Sequence, residues 1–106
     1  MIVTTTQTIE GKRIIDYKEV VFGEVIIDVF DIIEAERNKP KNFLAARLER
    51  REKLIKTRNI AMAKMQDRAK QLGANAVVAV DIDYLMMGYD TQVMMVVASG
   101  TAVYCQ

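Results

Sequence analysis

Asp81 and Asp83 are the residues of this chain whose type and spacing point most directly to chemistry. They stand two apart in Val80-Asp81-Ile82-Asp83-Tyr84, and in an extended segment such residues emerge on one face, close enough to hold a hard cation through oxygen or to share a proton. Asp90, across the following turn, and Glu10 or Glu24 could complete an oxygen site. A solvated strand-end rim explains the same pair without any ligand. Acid–base catalysis by the two carboxylates would require a closed pocket that drives their proton affinities apart.

Cys105 is the single cysteine, so no disulfide can form within the chain. One thiolate makes a poor metal site, and the chain has no histidine, which disfavours zinc or copper within one subunit. Only a symmetric assembly that gathered several copies of Cys105 would make a sulfur cluster. The candidate metal ligands are therefore Asp81, Asp83 and Cys105, with a metal ion as the candidate cofactor. Met62, Met65, Met86, Met87, Met94 and Met95 could offer thioethers, but at helix and strand spacing methionine is better explained as an adaptable filler of cores and interfaces. Thr4, Thr5, Thr6, Ser99 and Thr101 supply hydroxyls without a histidine to act as base, so nucleophilic catalysis is disfavoured and no catalytic residue is assigned. No phosphate-cradling or dinucleotide-binding glycine pattern is present.

The elements that must position these groups are legible in outline. Val77 to Ile82 and Val93 to Ala98 read as two strands of a hairpin that are apolar on both faces, so both faces should be covered. Asn42 to Leu72 contains no Gly or Pro and ends at Gly73, a favourable left-handed cap, so it reads as one long helix. Leu48, Ile55, Met62 and Ala69 recur at heptad spacing, with Leu44, Met65 and Leu72 extending the stripe, while Arg51 and Arg58 interrupt it. The C-terminal half of the helix should therefore pack on the sheet, and the N-terminal half should project or lie at a subunit boundary. One helix covers one sheet face, and the other face finds its cover most simply in a second copy of the chain.

Ile2 to Thr6 reads as a short edge strand and Ile9-Glu10-Gly11-Lys12 as a turn. Arg13 to Asp28 is extended and too long for an ordinary strand, so Gly23 should mark a bulge, a bend or a close backbone approach. A short helix is predicted over Val29 to Glu36, interrupted by Asn38-Lys39-Pro40-Lys41. The fold class is α+β: a small, mainly antiparallel sheet packed on one long helix, in a single domain over residues 1–106.

The length of 106 residues and 51% apolar composition suit one globular domain. The longest apolar runs fall well short of a membrane span and the N-terminus lacks a signal-peptide pattern, so a cytoplasmic location without membrane partners is expected. The net charge of +1 conceals two blocks: seven acids against Lys18 over 16–36, then nine bases against Glu49 and Glu52 over 37–58. These blocks can pair within a subunit, pair between subunits, or leave the bases free for a polyanion. Phe43 is the one aromatic interleaved in the basic block, so nucleic acid is disfavoured as a partner.

Three stretches resemble the YbjQ-like family, also called UPF0145: Val3-Thr4-Thr5-Thr6 with Ile9 to Ile14, Leu72 to Val78 through Asp81-Ile82-Asp83-Tyr84, and Ala98 to Val103. The resemblance covers both ends of the chain. It departs at Glu19, where relatives usually carry glycine, and at Leu44 to Arg50, where they carry a Gly-Arg-Ser-Gly turn followed by Tyr. It implies a dodecin-like α+β subunit joined to its neighbours in a homopentameric ring. It implies no defined biochemical role. The two-sided apolar hairpin and the resemblance together lead to the expectation of a non-enzymatic homo-oligomer that binds an ion or small ligand at subunit interfaces or at the ring axis, the alternative being the heavy-metal binding, buffering or sensing from which the family's domain takes its label.

Overall fold

The computed structural model describes residues 1–28, 43–87 and 93–106. In chain order these form β1 (Ile2–Val3), β2 (Ile14–Asp28), α1 (Phe43–Gln71), β3 (Ala76–Met87) and β4 (Val93–Cys105). The expected helix at Val29 to Glu36, the Pro40 break and the turn around Gly88 and Asp90 lie outside the described residues. The strands make one mixed sheet in the order β1-β3-β4-β2, with β1 parallel to β3 and the other pairings antiparallel.

Each boundary has a local cause. Gly11 at φ +79° closes the turn between Ile9 and Lys12, whose N–H donates to the Ile9 carbonyl at 3.1 Å. Gly73 at φ +81° ends α1, with its N–H on the Lys70 carbonyl at 3.0 Å, and the basic residues of the last turn, Arg68 and Lys70, suit the negative pole of the helix. Strand β2 runs its 15 residues without a break at Gly23; its irregularities against β4 fall instead between Ile14 and Asp16 and between Tyr17 and Glu19. Gly23 is the close approach. A Cβ there would lie 2.0 Å from the Ala61 carbonyl oxygen and 2.6 Å from the Met65 nitrogen, so helix backbone rests directly on strand backbone.

That contact fixes which helix face is buried. Thr57, Ala61, Met65 and Ala69, four residues apart, are buried, with Leu54 and Met62 packed beside them. The expected stripe holds at Met62, Met65 and Ala69 but not at Leu44, Leu48 and Leu72, which are exposed, and at the tight crossing itself the small Ala61 takes the buried place. Thr57 is tolerated there because its hydroxyl donates to the Lys53 carbonyl at 2.9 Å. Val21, Val77, Val80, Met94, Val96, Ala98 and Ala102 complete this core on the sheet side. A smaller core of Ala76, Val78, Val103 and Cys105 lies on the opposite sheet face, roofed by Ile9 and Ile14.

Among the described residues of α1 the first fully buried one is Thr57; in the N-terminal turns Ala45 and Glu49 are half-buried and Leu44 and Leu48 exposed. From Ala61 back to Phe43 the helix advances about 27 Å, whereas β2 continues only about 17 Å from Gly23 to Asp28. Leu44 is 64% exposed and Leu48 50% exposed on this overhang.

Candidate functional site

The position of both carboxylates depends on one residue, Ala79. Before it, Val77 faces the helix while Ala76 and Val78 face away; after it, Val80 and Ile82 pack toward the helix. The cause is a bulge: β3 pairs Val78 with Thr101 but Asp81 with Ser99, so one extra residue is accommodated and the alternation shifts. Ala79 takes φ +55°, and the N-terminal segment holds it there, with the Ala79 N–H on the Thr6 carbonyl at 2.8 Å and the Val80 N–H on the Thr4 carbonyl at 3.1 Å. Gly100 on β4 leaves room, since a Cβ there would meet Val77 Cγ1 at 2.6 Å. Asp81 and Asp83 consequently emerge together on the face away from α1, about 7 Å apart along the strand.

Register makes that face explicit. Across β2, β4 and β3 its rows read Asp28-Val93-Met87, Ile26-Met95-Leu85, Glu24-Val97-Asp83 and Phe22-Ser99-Asp81, followed by Val20 beside Thr101. Phe22, Ile26 and Leu85 are exposed, Ile26 by 62%, while Val93, Met95 and Val97 are half-buried. The face has an apolar centre and an acidic border. Asp81 and Asp83 are both exposed, on an open surface rather than in a closed pocket. Asp81 also edges a shallow groove of about 300 Å³ lined by Val3, Thr4, Thr5, Met62, Val80 and Ile82.

The remaining candidates sit elsewhere. Cys105 lies six residues along β4 from the Asp81 partner Ser99, about 20 Å away, on the strand's far end. It is 3% exposed, and Asn75 holds it: the Cys105 N–H donates to Asn75 Oδ1 at 2.8 Å, the thiol points to the same oxygen at 3.4 Å, and Asn75 Nδ2 donates to the Cys105 carbonyl at 2.7 Å. Glu24 is engaged by Arg68, whose Nη1 is 3.0 Å from each carboxylate oxygen and also donates to the Phe22 carbonyl. Glu10 is exposed in the Gly11 turn. The threonine hydroxyls are occupied with one another: Thr6 Oγ1 donates to the Thr8 carbonyl at 2.6 Å, so Thr4 Oγ1 donates to Thr6 Oγ1 at 2.8 Å while accepting the Thr6 N–H at 3.1 Å. They adjoin β3, which separates them from Ser99 and Thr101 on β4.

Among the described residues no three of His, Cys, Asp and Glu converge as metal ligands. A single subunit does not fit a soft heavy metal, because its one thiol is buried on an amide oxygen and remote from the carboxylates. The pair Asp81 and Asp83 fits a hard cation only if further oxygens come from elsewhere. The residue that sequence reasoning missed is Ala79. Its signal is faint: the apolar run Ala76 to Val80 gives no phase, and only Asp81-Ile82-Asp83 shows which side is outward.

An α+β subunit with a mixed four-stranded sheet, one long helix and an acidic-bordered sheet face that the described residues leave uncovered is the class of structure these elements define. A family model described as "Putative heavy-metal-binding" matches residues 1–106, including the middle of the chain that the resemblance left out. The chain belongs to the YbjQ-like, or UPF0145, family. It is similar to a UPF0145 protein of Clostridium botulinum (strain Alaska E43 / Type E3), with 53% identity over 107 residues and all of both chains covered. A UPF0145 protein of Listeria welshimeri is 50% identical over 104 residues, covering 97% of this chain and 94% of that one. The fold is shared with a crystal structure of a DUF74-family protein of unknown function from Pediococcus pentosaceus, at TM-score 0.68 and 15% identity, covering 100% of this chain and 98% of the other. No helix among the described residues is long and apolar enough to cross a membrane.

Proposed function

We propose that the protein is a non-enzymatic, cytoplasmic homo-oligomer, a pentameric ring, that binds a cation or small polar ligand where subunits meet. One observation carries the reading: the face bearing Phe22, Ile26, Met95, Val97, Leu85 and Met87 is apolar and uncovered by the chain's described residues, and it holds Asp81 and Asp83 within it. Burying such a face contributes about 25 cal/mol per Å² of apolar surface, so association is favoured. Each carboxylate pair brought to a contact would then find the additional oxygens it lacks alone. The absence of histidine and the self-satisfied Thr4–Thr6–Thr8 hydroxyls support a binding role over a catalytic one.

Light scattering and isothermal titration with Ca²⁺ and Mg²⁺ test this. A multiple of the 12.0 kDa subunit is expected, with cation binding lost in Asp81→Asn and Asp83→Asn. A monomer at micromolar concentration would overturn it. The family model's description favours a second reading, heavy-metal binding, in which ring symmetry gathers Cys105 thiols. It requires Cys105→Ser to lower the metal content of dialysed protein.

A further inference from the structure

The chain uses the outer edge of β3 only at its start. β1 pairs there with Ala76 and Val77, and the last bonds across the edge run from the Ala79 N–H to the Thr6 carbonyl and from the Val80 N–H to the Thr4 carbonyl. Beyond Val80 nothing among the described residues pairs with it. Val80 turns its N–H to this edge, and the alternation of an antiparallel ladder then brings the N–H and C=O of Ile82, Tyr84 and Met86 to it as well. About 20 Å of strand from Asp81 to Met87 therefore offers backbone donors and acceptors to a further strand.

The two flanks of the edge differ. On the helix side lies a groove of about 500 Å³ between Met62, Ala63 and Gln66 of α1 and Ile82 of β3, and it shares Met62 and Ile82 with the shallow groove described above. On the open side Asp81 and Asp83 are exposed, and neither joins an ion pair among the described residues. We infer that β3 accepts an extended peptide at this edge, one whose side chains alternate between apolar, entering the groove beside α1, and basic, meeting Asp81 and Asp83. Neighbours on adjoining strands share a face, so a ligand residue beside Ile82 lies toward the helix and the residues on either side of it lie toward the carboxylates. Arg58 lines the same groove and disfavours a basic group there, which fixes the alternation. Main-chain hydrogen bonds would supply affinity and the two flanks selectivity. The inference rests on the cation-binding role proposed for Asp81 and Asp83, and names the cation as a charged side chain carried on a strand; it is independent of the ring.

Charge argues against a second copy as the occupant. Pairing β3 with β3 of another subunit sets Asp81 and Asp83 among their own counterparts, and β2, the other outer strand of the sheet, carries Asp16, Glu19, Glu24 and Asp28 with Lys18 as its one base. Like charges on adjoining strands oppose pairing and are a common guard of exposed edges. The carboxylates that keep copies off this edge are the ones that favour a basic strand.

The probe is a labelled, end-capped peptide of alternating lysine and valine, titrated with the full chain by fluorescence anisotropy. Saturable binding is expected, weakened at least tenfold by Asp81→Asn/Asp83→Asn and by Ala63→Phe, which fills the groove; all three sites are exposed, so the far-UV signal should not change. Methylating the amides of one alternate set of peptide residues should weaken binding at least tenfold, and methylating the other set should not, because only one set faces β3. Amide exchange at Ile82, Tyr84 and Met86 should be fast in the free protein and at least tenfold slower with peptide. Equal binding of both methylated peptides would reduce the interaction to charge attraction and overturn strand addition. Slow exchange at these amides without peptide would show the edge already taken, by a second copy or by the chain itself, and would overturn it too. Loss of peptide binding alone, with a Ca²⁺ titration still sensitive to Asp81→Asn and Asp83→Asn, would overturn this inference and leave the cation reading standing.

Discussion

Replacing Gly23 with alanine places one methyl group where the helix backbone already lies. The new Cβ would sit 2.0 Å from the Ala61 carbonyl oxygen, 2.6 Å from the Met65 nitrogen and 3.0 Å from the Ala61 carbonyl carbon. None of these atoms can rotate away, because all belong to the main chain of α1. Ordinary contact begins near 3.5 Å, so helix and strand must separate by about 1.5 Å at this point. A gap of 0.5–1 Å already removes a quarter to a half of a dispersion contact. The separation acts on the whole seam of Thr57, Ala61, Met65 and Ala69 against Val21, Val96, Ala98 and Ala102. Overpacking typically costs about 1–3 kcal/mol where side chains can adjust; with rigid backbone on both sides we place Gly23→Ala at about 3–5 kcal/mol, a large share of a total near 5–15 kcal/mol. The assay is urea unfolding of both proteins at one protein concentration, since association would otherwise shift the midpoint. A loss below about 1 kcal/mol would refute the claim that this crossing sets which residues of α1 are buried.

Three further outcomes follow from the same geometry. Asn75→Ala removes both side-chain hydrogen bonds to the Cys105 backbone and should lower stability by about 1–2 kcal/mol, with faster amide exchange at Cys105 as the specific sign. Ala79→Gly relieves a left-handed conformation at φ +55° and should raise the urea midpoint by the equivalent of about 0.5–1 kcal/mol; a lower midpoint would contradict it. Cys105, 3% exposed, should react with a thiol reagent at least a hundredfold more slowly in native protein than in 6 M guanidinium chloride, a labelling experiment whose failure would show that the C-terminal end of β4 opens readily.

Much of the architecture is legible in the sequence because its causes are local. The absence of Gly and Pro over Asn42 to Leu72, and Gly73 beyond it, mark α1 to within a residue of its ends, and Gly11 marks its turn. That Asp81 and Asp83 share a face follows from strand geometry alone. The buried stripe of α1 keeps the expected Met65 and Ala69, with Met62 beside them, but takes Thr57 and Ala61 and leaves Leu48 exposed, because the rule that large apolar residues face inward yields to the distance between backbones, and Gly23, 38 residues from Ala61, sets that distance. Gly23 itself stands out by its place in a long strand, with a close approach among the options. The remoteness of Cys105 from the carboxylates is not legible, since it depends on β3 and β4 running antiparallel in a register that no local pattern states. The parallel pairing of β1 with β3, which holds Ala79 in place through Thr4 and Thr6, is likewise a product of topology.

The bulge at Ala79 makes chain length at this point a chemical variable. Val78 stands opposite Thr101 and Asp81 opposite Ser99, so β3 carries one residue more than β4 over this span. Were the strand straight with Ala79 kept, everything from Val80 to Met87 would change sides, and Asp81 and Asp83 would have to be dehydrated beneath the helix. Omitting Ala79 has the opposite result: Val80 would follow Val78 directly, opposite Gly100, and both carboxylates would keep their outward face, while the amide that meets the Thr6 carbonyl would be lost. Length and bulge together decide whether acid or hydrocarbon meets the solvent.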